Sequence, residues 1–303
     1  MHEIIVPLDG SPHSERAICL SLSLAAALDA GLRLVHVMPS PTHAGLAPVR
    51  LLPDFITSKD YLAGISRRLP ARRHVQTEVL TGDPAEEILQ LTHVQRGSIV
   101  VMATHGRNAL GRLAFGSVGD QIMREATVPV ALTSTSATEP EHHFRTIIVP
   151  LDGSDLAESA LPLATDLARR TGATLSLVRV VDRLYEPSIL WPGGEFDGWH
   201  VTPDQMDEIN GQMLDDARRY LERVAVSVRT THPNTVWEVR TGQPASEITR
   251  AAETNHGSII AIVSHGRGGL RRLALGSVTT EVVHKSRAPV LVIPPGAAHA
   301  PAS

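Results

Sequence analysis

Cysteine is nearly missing from this chain. Cys19 is the only one, so no internal disulfide can staple the fold, and a reducing compartment is the expected setting. Aromatic side chains are scarce, at 3% of residues, which leaves Val, Ile, Leu and Ala to build the core. Neither sign of charge prevails. The formal net charge is -4, with Arg and His dispersed among acidic residues, whereas a nucleic-acid binder needs a basic face. No apolar run approaches the ~20 residues that span a bilayer. The first strand is expected within a few residues of Met1, which leaves no space for a secretory leader. These absences set the expectation of a cytoplasmic protein with neither a membrane nor a nucleic-acid partner.

What is present points to a folded, duplicated chain. Its 303 residues suffice for two domains of ordinary size, and 42% hydrophobic with 20% charged residues is a globular composition. The sequence aligns with itself. Glu3-Ile-Ile-Val-Pro-Leu-Asp-Gly-Ser11 matches Thr146-Ile-Ile-Val-Pro-Leu-Asp-Gly-Ser154 at an offset of 143. Thr81-Gly-Asp-Pro-Ala85 matches Thr241-Gly-Gln-Pro-Ala245, and His105-Gly106 matches His265-Gly266, at an offset of 160. The second copy is therefore longer by 17 residues, most of them in a Pro/Gly/Trp-containing insertion near 182–202. The expected domains are 1–137 and 144–296, joined by the polar linker Ser134 to His143.

Each copy alternates strand and helix. In the first, strands are expected at Ile4–Leu8, Leu32–Val37, Val75–Leu80, Ser98–Met102 and Pro129–Leu132. Helices are expected over Arg16 to Ala30, Asp54 to Leu69, from Pro84 onward, and over Gly116 to Ala126. Ser11-Pro12 and Asp83-Pro84 read as a cap followed by a proline at a helix start. The second copy repeats this order, with a longer helix over Pro203 to Val228. Such alternation implies right-handed crossovers and a parallel sheet covered on both faces. Ligands of doubly wound sheets sit at the carboxyl ends of strands. Asp9-Gly10-Ser11 follows the first strand and His105-Gly106 the fourth, so one shared site per copy is expected.

The segment Ala103 to Ser117 is the most suggestive chemically. It leaves a buried strand, passes Gly106 and Arg107, and ends in Gly116-Ser117-Val118 at a helix start. The second copy writes it again, from Val263 through Gly266 and Arg267 to Gly276-Ser277-Val278. Backbone N–H groups at a helix start lack intrahelical partners, and the macrodipole favours an anion there. The residues alone therefore suggest a phosphate-bearing ligand.

Each copy resembles a universal stress protein domain, and the whole is similar to a tandem universal stress protein. The resemblance is carried by the Val-Pro-x-Asp-Gly-Ser opening, the Thr-Gly-x-Pro turn and the loop ending in Gly-Ser-Val. It implies two doubly wound, Rossmann-like α/β domains with five-stranded parallel sheets in the order 3-2-1-4-5. Their fifth strands, Pro129–Leu132 and Pro289–Ile293, would meet across a pseudo-two-fold, an internal pseudo-dimer, and tandem chains would pair further as a homodimer. It also implies ATP as ligand, with any Mg or Mn carried by the nucleotide, and a role as stress sensor or signalling scaffold for a protein partner. By that carry-over Asp9 and Asp152 contact the nucleoside, and the backbones of Val37 and Val180 line the adenine slot. Gly106, Gly116, Ser117 and Val118 hold the phosphates, as do Gly266, Gly276, Ser277 and Val278. ATP-binding members place a glycine where this chain has Ala103 and Val263. The added methyl of Ala103 is a mild departure; the branched Val263 restricts approach to the backbone more.

Other readings of the same residues stay open at this point. The glycines serve as turn punctuation in any fold, and Asp9, Asp152, Ser117 and Ser277 are also suitable helix caps. Arg107, Arg112, Arg267, Arg271 and Arg272 suit either a solvated loop or a phosphate. His105 and His265 have no partner at metal-ligand spacing, and Cys19 falls on the apolar face of the first helix. A phosphate-loop lysine is missing, and no nucleophile–base pair can be assigned, so any hydrolysis is expected to be slow. The rival functions are a module that uses the fold for interaction alone, and an adenylating enzyme.

Overall fold

The apolar runs and the segments between them fold as alternating strands and helices in the computed structural model of the chain. It describes residues 3–39, 51–70, 74–94, 97–104, 116–134, 143–182, 202–264 and 275–295. The first copy runs β1 (Glu3–Pro7), α1 (Ala17–Leu28), β2 (Gly31–Met38), α2 (Leu51–Arg68), β3 (Val75–Thr81), α3 (Pro84–Val94), β4 (Ile99–Thr104), α4 (Gly116–Glu125) and β5 (Val130–Ser134). The second runs β6 (Thr146–Pro150), α5 (Asp155–Glu158), α6 (Leu161–Thr171), β7 (Thr174–Val181), α7 (Pro203–Arg229), β8 (Thr235–Thr241), α8 (Pro244–Thr254), β9 (Ser258–Val263), α9 (Ser277–Lys285) and β10 (Val290–Ile293). Most of the linker and insertion, with Trp191 and Trp199, lie outside the described residues.

The ten strands form one sheet, in the order β3-β2-β1-β4-β5-β10-β9-β6-β7-β8. Each half shows the doubly wound order, and all pairs within a half are parallel. The halves join through one antiparallel pair, with Val290 opposite Leu132, Leu291 opposite Ala131 and Val292 opposite Val130. This is the meeting of fifth strands that the resemblance implies. Side chains alternate across the sheet, so Ile4, Val6, Ile147 and Val149 face a layer containing α1, α2, α6 and α7. Ile5, Val100, Ile148 and Ile260 face the opposite layer, under α3, α4, α8 and α9. Both layers of core run across the junction through Ala131 and Leu291 on one side and Val130 and Val290 on the other. Burial on both faces explains why the inner strands are continuous Ile/Val runs.

The copies differ after their first strands. In the first, a 3-10 turn over Ser14–Arg16 leads into α1, which carries Cys19 half-buried. In the second, the helix is interrupted between α5 and α6. Pro162, standing where Cys19 stands in the first copy, has no N–H with which to continue a helix. The long helix α7 is opened by a capping box, in which Thr202 and Gln205 exchange side-chain-to-backbone bonds of 3.3 and 3.0 Å. Asp204 to Asp216 include no buried residue, and the first is Ala217.

Candidate functional site

Both copies build the same turn where the first strand ends. Gly10 at φ 86° and Gly153 at φ 83° occupy the left-handed region, which glycine enters without strain. Asp9 Oδ1 accepts from the Ser11 backbone N–H at 2.9 Å and from its hydroxyl at 2.6 Å. Ser11 Oγ then accepts the Ser14 N–H at 3.2 Å. In the second copy Asp152 Oδ1 accepts the N–H and hydroxyl of Ser154 at 2.9 and 2.5 Å, and Ser154 Oγ accepts the Ala157 N–H at 3.2 Å. Ser154 is thus the cap of α5, Ser11 holds the Ser14 N–H at the start of the 3-10 turn, and each aspartate orients its serine. Burial works to raise the Asp9 pKa, but hydrogen bonds from Ser11 and Ser14 outweigh it and hold the carboxyl below its ordinary value. Asp9 is exposed, and a carboxylate has lone pairs for further donors.

The glycine segments of the two copies have different feet. Gly106, Arg107, Gly266 and Arg267, with His105, His265, Arg112, Arg271 and Arg272, lie outside the described residues. Gly116 opens α4 at φ 69°, and a Cβ there would meet nothing within 4 Å. Gly276 caps α9 at φ −58°, ψ 147°, a conformation open to any residue. Its N–H donates to Ser264 O at 2.7 Å. The Thr279 hydroxyl donates to Val263 O at 2.8 Å, whereas the first copy has Gly119 at that position and no hydroxyl to give. The second loop is therefore tied at its base by bonds within the protein. Ser117 and Ser277 are exposed. Val37 and Val118 pack on one core layer, as do Val180 and Val278. Ala103 packs on the other layer, into which Val263 is fully turned at 4% exposure.

A tyrosine flanks each aspartate turn. Tyr61 on α2 donates to Glu15 Oε1 at 3.2 Å, and Glu15 also pairs with Arg68 at 3.2 Å. Tyr220 on α7 donates to Glu158 Oε1 at 2.8 Å. The residues before Val37 and Val180 touch the rings: His36 meets Tyr61 edge-on with centroids 6.2 Å apart, and the Arg179 guanidinium lies 4.9 Å from the Tyr220 centroid. Burial first, and then the Glu15 charge, push the Tyr61 hydroxyl up to about 12. Burial and the bond to Glu158 raise Tyr220 as well. Both hydroxyls stay protonated donors at neutral pH.

The description "universal stress protein family" fits residues 1–134 and again 143–294. The chain belongs to the universal stress protein family. A universal stress protein of Mycobacterium tuberculosis is 27% identical over 310 residues, spanning 96% of each chain. One of Mycolicibacterium smegmatis is 24% identical over 303 residues, spanning 96% of this chain and 97% of that one. The crystal structure of a universal stress protein from Archaeoglobus fulgidus shares the fold, with a TM-score of 0.68 at 18% identity over 97% of this chain and 98% of that one.

Within this tandem universal stress protein three of the residues expected to bind lie at strand ends. Asp9 and Val37 lie beyond or near the ends of β1 and β2, and Ala103 is near the end of β4. Gly116, Ser117 and Val118 form the first turn of α4. An exposed acceptor at one strand end and an open helix start beyond another fit a sugar and a phosphate respectively. Among the described residues no group of three or more His, Cys, Asp or Glu could hold a metal ion, and no helix is long and apolar enough to cross a membrane. The Tyr–Glu pairs are absent from the motif reading. Their trace in the sequence is a glutamate four residues after Ser11 and Ser154, and the presence of two of the three tyrosines on corresponding helices.

Proposed function

We propose that this universal stress protein binds an adenine nucleotide, ATP by resemblance, in the first copy, and acts as a sensor or signalling scaffold for a protein partner. The observation that carries this is the exposed Asp9 carboxylate, held ionised on the turn after β1. Such a group accepts hydroxyl donors and repels phosphate, so it suits a sugar edge. With Glu15 beside it, the turn is acidic and unsuited to a pyrophosphate. That weighs against the adenylating alternative, whose chemistry needs an anion site near this turn. The phosphates go instead to Gly116, Ser117 and Val118 at the start of α4, with Gly106 and Arg107 on the preceding loop. Each copy, 1–137 and 144–296, is taken as one domain.

The second copy has Asp152, half-buried, and Val180 at the corresponding positions, but the Gly276 amide is already given to Ser264. We read Gly266, Arg267, Gly276, Ser277 and Val278 as the weaker phosphate site. Bound nucleotide stabilises the state that binds it by mass action. Isothermal titration of the full chain with ATP, ADP and AMP tests the reading, with mass spectrometry of small molecules released from purified protein. One strong adenine-nucleotide site per chain is expected. No binding and no released nucleotide would leave the interaction-module reading in its place.

A further inference from the structure

We propose that Tyr61 and Tyr220 are positioning residues that set how tightly each site holds a nucleoside, by locking the aspartate turn to the neighbouring strand end. The inference rests on the nucleotide reading of the site and deepens it. In the first copy a chain of bonds runs from Asp9 Oδ1 to Ser11, and from Ser11 Oγ to the Ser14 N–H. The next residue is Glu15, whose carboxylate accepts from Tyr61. In the second copy the chain runs from Asp152 to Ser154 and from Ser154 to the Ala157 N–H, and the next residue is Glu158, which accepts from Tyr220. Each hydroxyl therefore fixes the first turn that the capping serine holds, and through it the direction of the aspartate.

The other side of each ring is held by the sheet. His36 and Arg179 immediately precede the slot residues Val37 and Val180, and both touch the tyrosine. His36 is itself anchored, its Nδ1 lying 2.7 Å from Leu8 O, one residue before Asp9. The copies have diverged here, with imidazole in one and guanidinium in the other, and Ser14 is replaced by Ala157. The hydrogen bond from tyrosine to glutamate is what both retain. One side chain on the following helix thus ties together the two places that a nucleoside must bridge, the aspartate turn and the slot strand.

Titration of the full chain with ATP, adenosine and inorganic tripolyphosphate separates positioning from general support. The double variant Tyr61→Phe, Tyr220→Phe removes two oxygens and leaves the rings in place. ATP and adenosine should bind about tenfold more weakly, the upper end of the effect of one lost hydrogen bond, while tripolyphosphate changes by less than about twofold. Glu15→Gln, Glu158→Gln keeps an acceptor oxygen and should bind near the wild-type level, whereas Glu15→Ala, Glu158→Ala should follow the phenylalanine variant. Unchanged binding in the phenylalanine variant overturns the proposal. So does equal loss of all three ligands, which marks a collapsed site. If the wild-type chain binds no adenine nucleotide, the reading of the site falls, and the role of the tyrosines with it.

Discussion

Asp9 is ionised because its neighbours donate to it, and that has a pH signature. Its folded pKa lies below the ordinary 3.8, so the folded protein keeps the charge where the unfolded chain has begun to take up a proton. The stabilisation is complete above that ordinary value and is lost as pH falls through the folded one. Thermal midpoints measured along the acid limb should therefore fall less steeply in Asp9→Asn than in wild type. Gly116 makes a second residue-scale case. Its φ of 69° places an alanine in the left-handed region, at about 1–2 kcal/mol. Gly276, at φ −58°, accepts alanine without that strain. Denaturant titration should show Gly116→Ala the less stable of the two variants. Legibility ended at this scale. Asp9 and its serine could be read from the motif, but Tyr61 and Glu15 are 46 residues apart and Tyr220 and Glu158 are 62. Only the packing of α2 and α7 brings these pairs together.

At the scale of elements, local patterning was sufficient for strands and helix starts. Asp83 caps α3 by accepting from Ala85 and Glu86 at 3.0 and 3.1 Å, as the Asp-Pro pair implies. The interruption between α5 and α6 was harder to see, because the same opening motif in the first copy leads into a different turn. What decides it is Pro162, outside the motif. The helix α7 makes the element-scale prediction. From Asp204 to Asp216 no residue is buried, so roughly 20 Å of helix depends on its own cap. Thr202→Ala removes the capping bond, worth about 1 kcal/mol. Hydrogen exchange should speed up in the first turns of α7 while the global unfolding midpoint hardly moves, because that stretch opens locally.

For the whole molecule, the duplication was legible from the two offsets in the self-alignment, whereas the pairing of halves came from family resemblance alone. Nothing in the runs Val130–Ser134 or Val290–Ile293 marks them as partners; both are simply short and apolar. The structure makes that pair the seam of a common core, with Leu291 fully buried. Leu291→Ala should cost about 2–5 kcal/mol, and calorimetry should still show one transition, because both core layers cross the seam. Two separated transitions would mean that the halves unfold independently.

The antiparallel seam also governs where the molecule faces. Reversing strand direction at β5 and β10 turns β1 and β6 head to tail, so Asp9 and Asp152 emerge from opposite rims. Five strand spacings separate β1 from β6, about 24 Å across the sheet. A small molecule held at one rim cannot reach the other. The two aspartate turns are thus set back to back, on opposite rims of one continuous sheet.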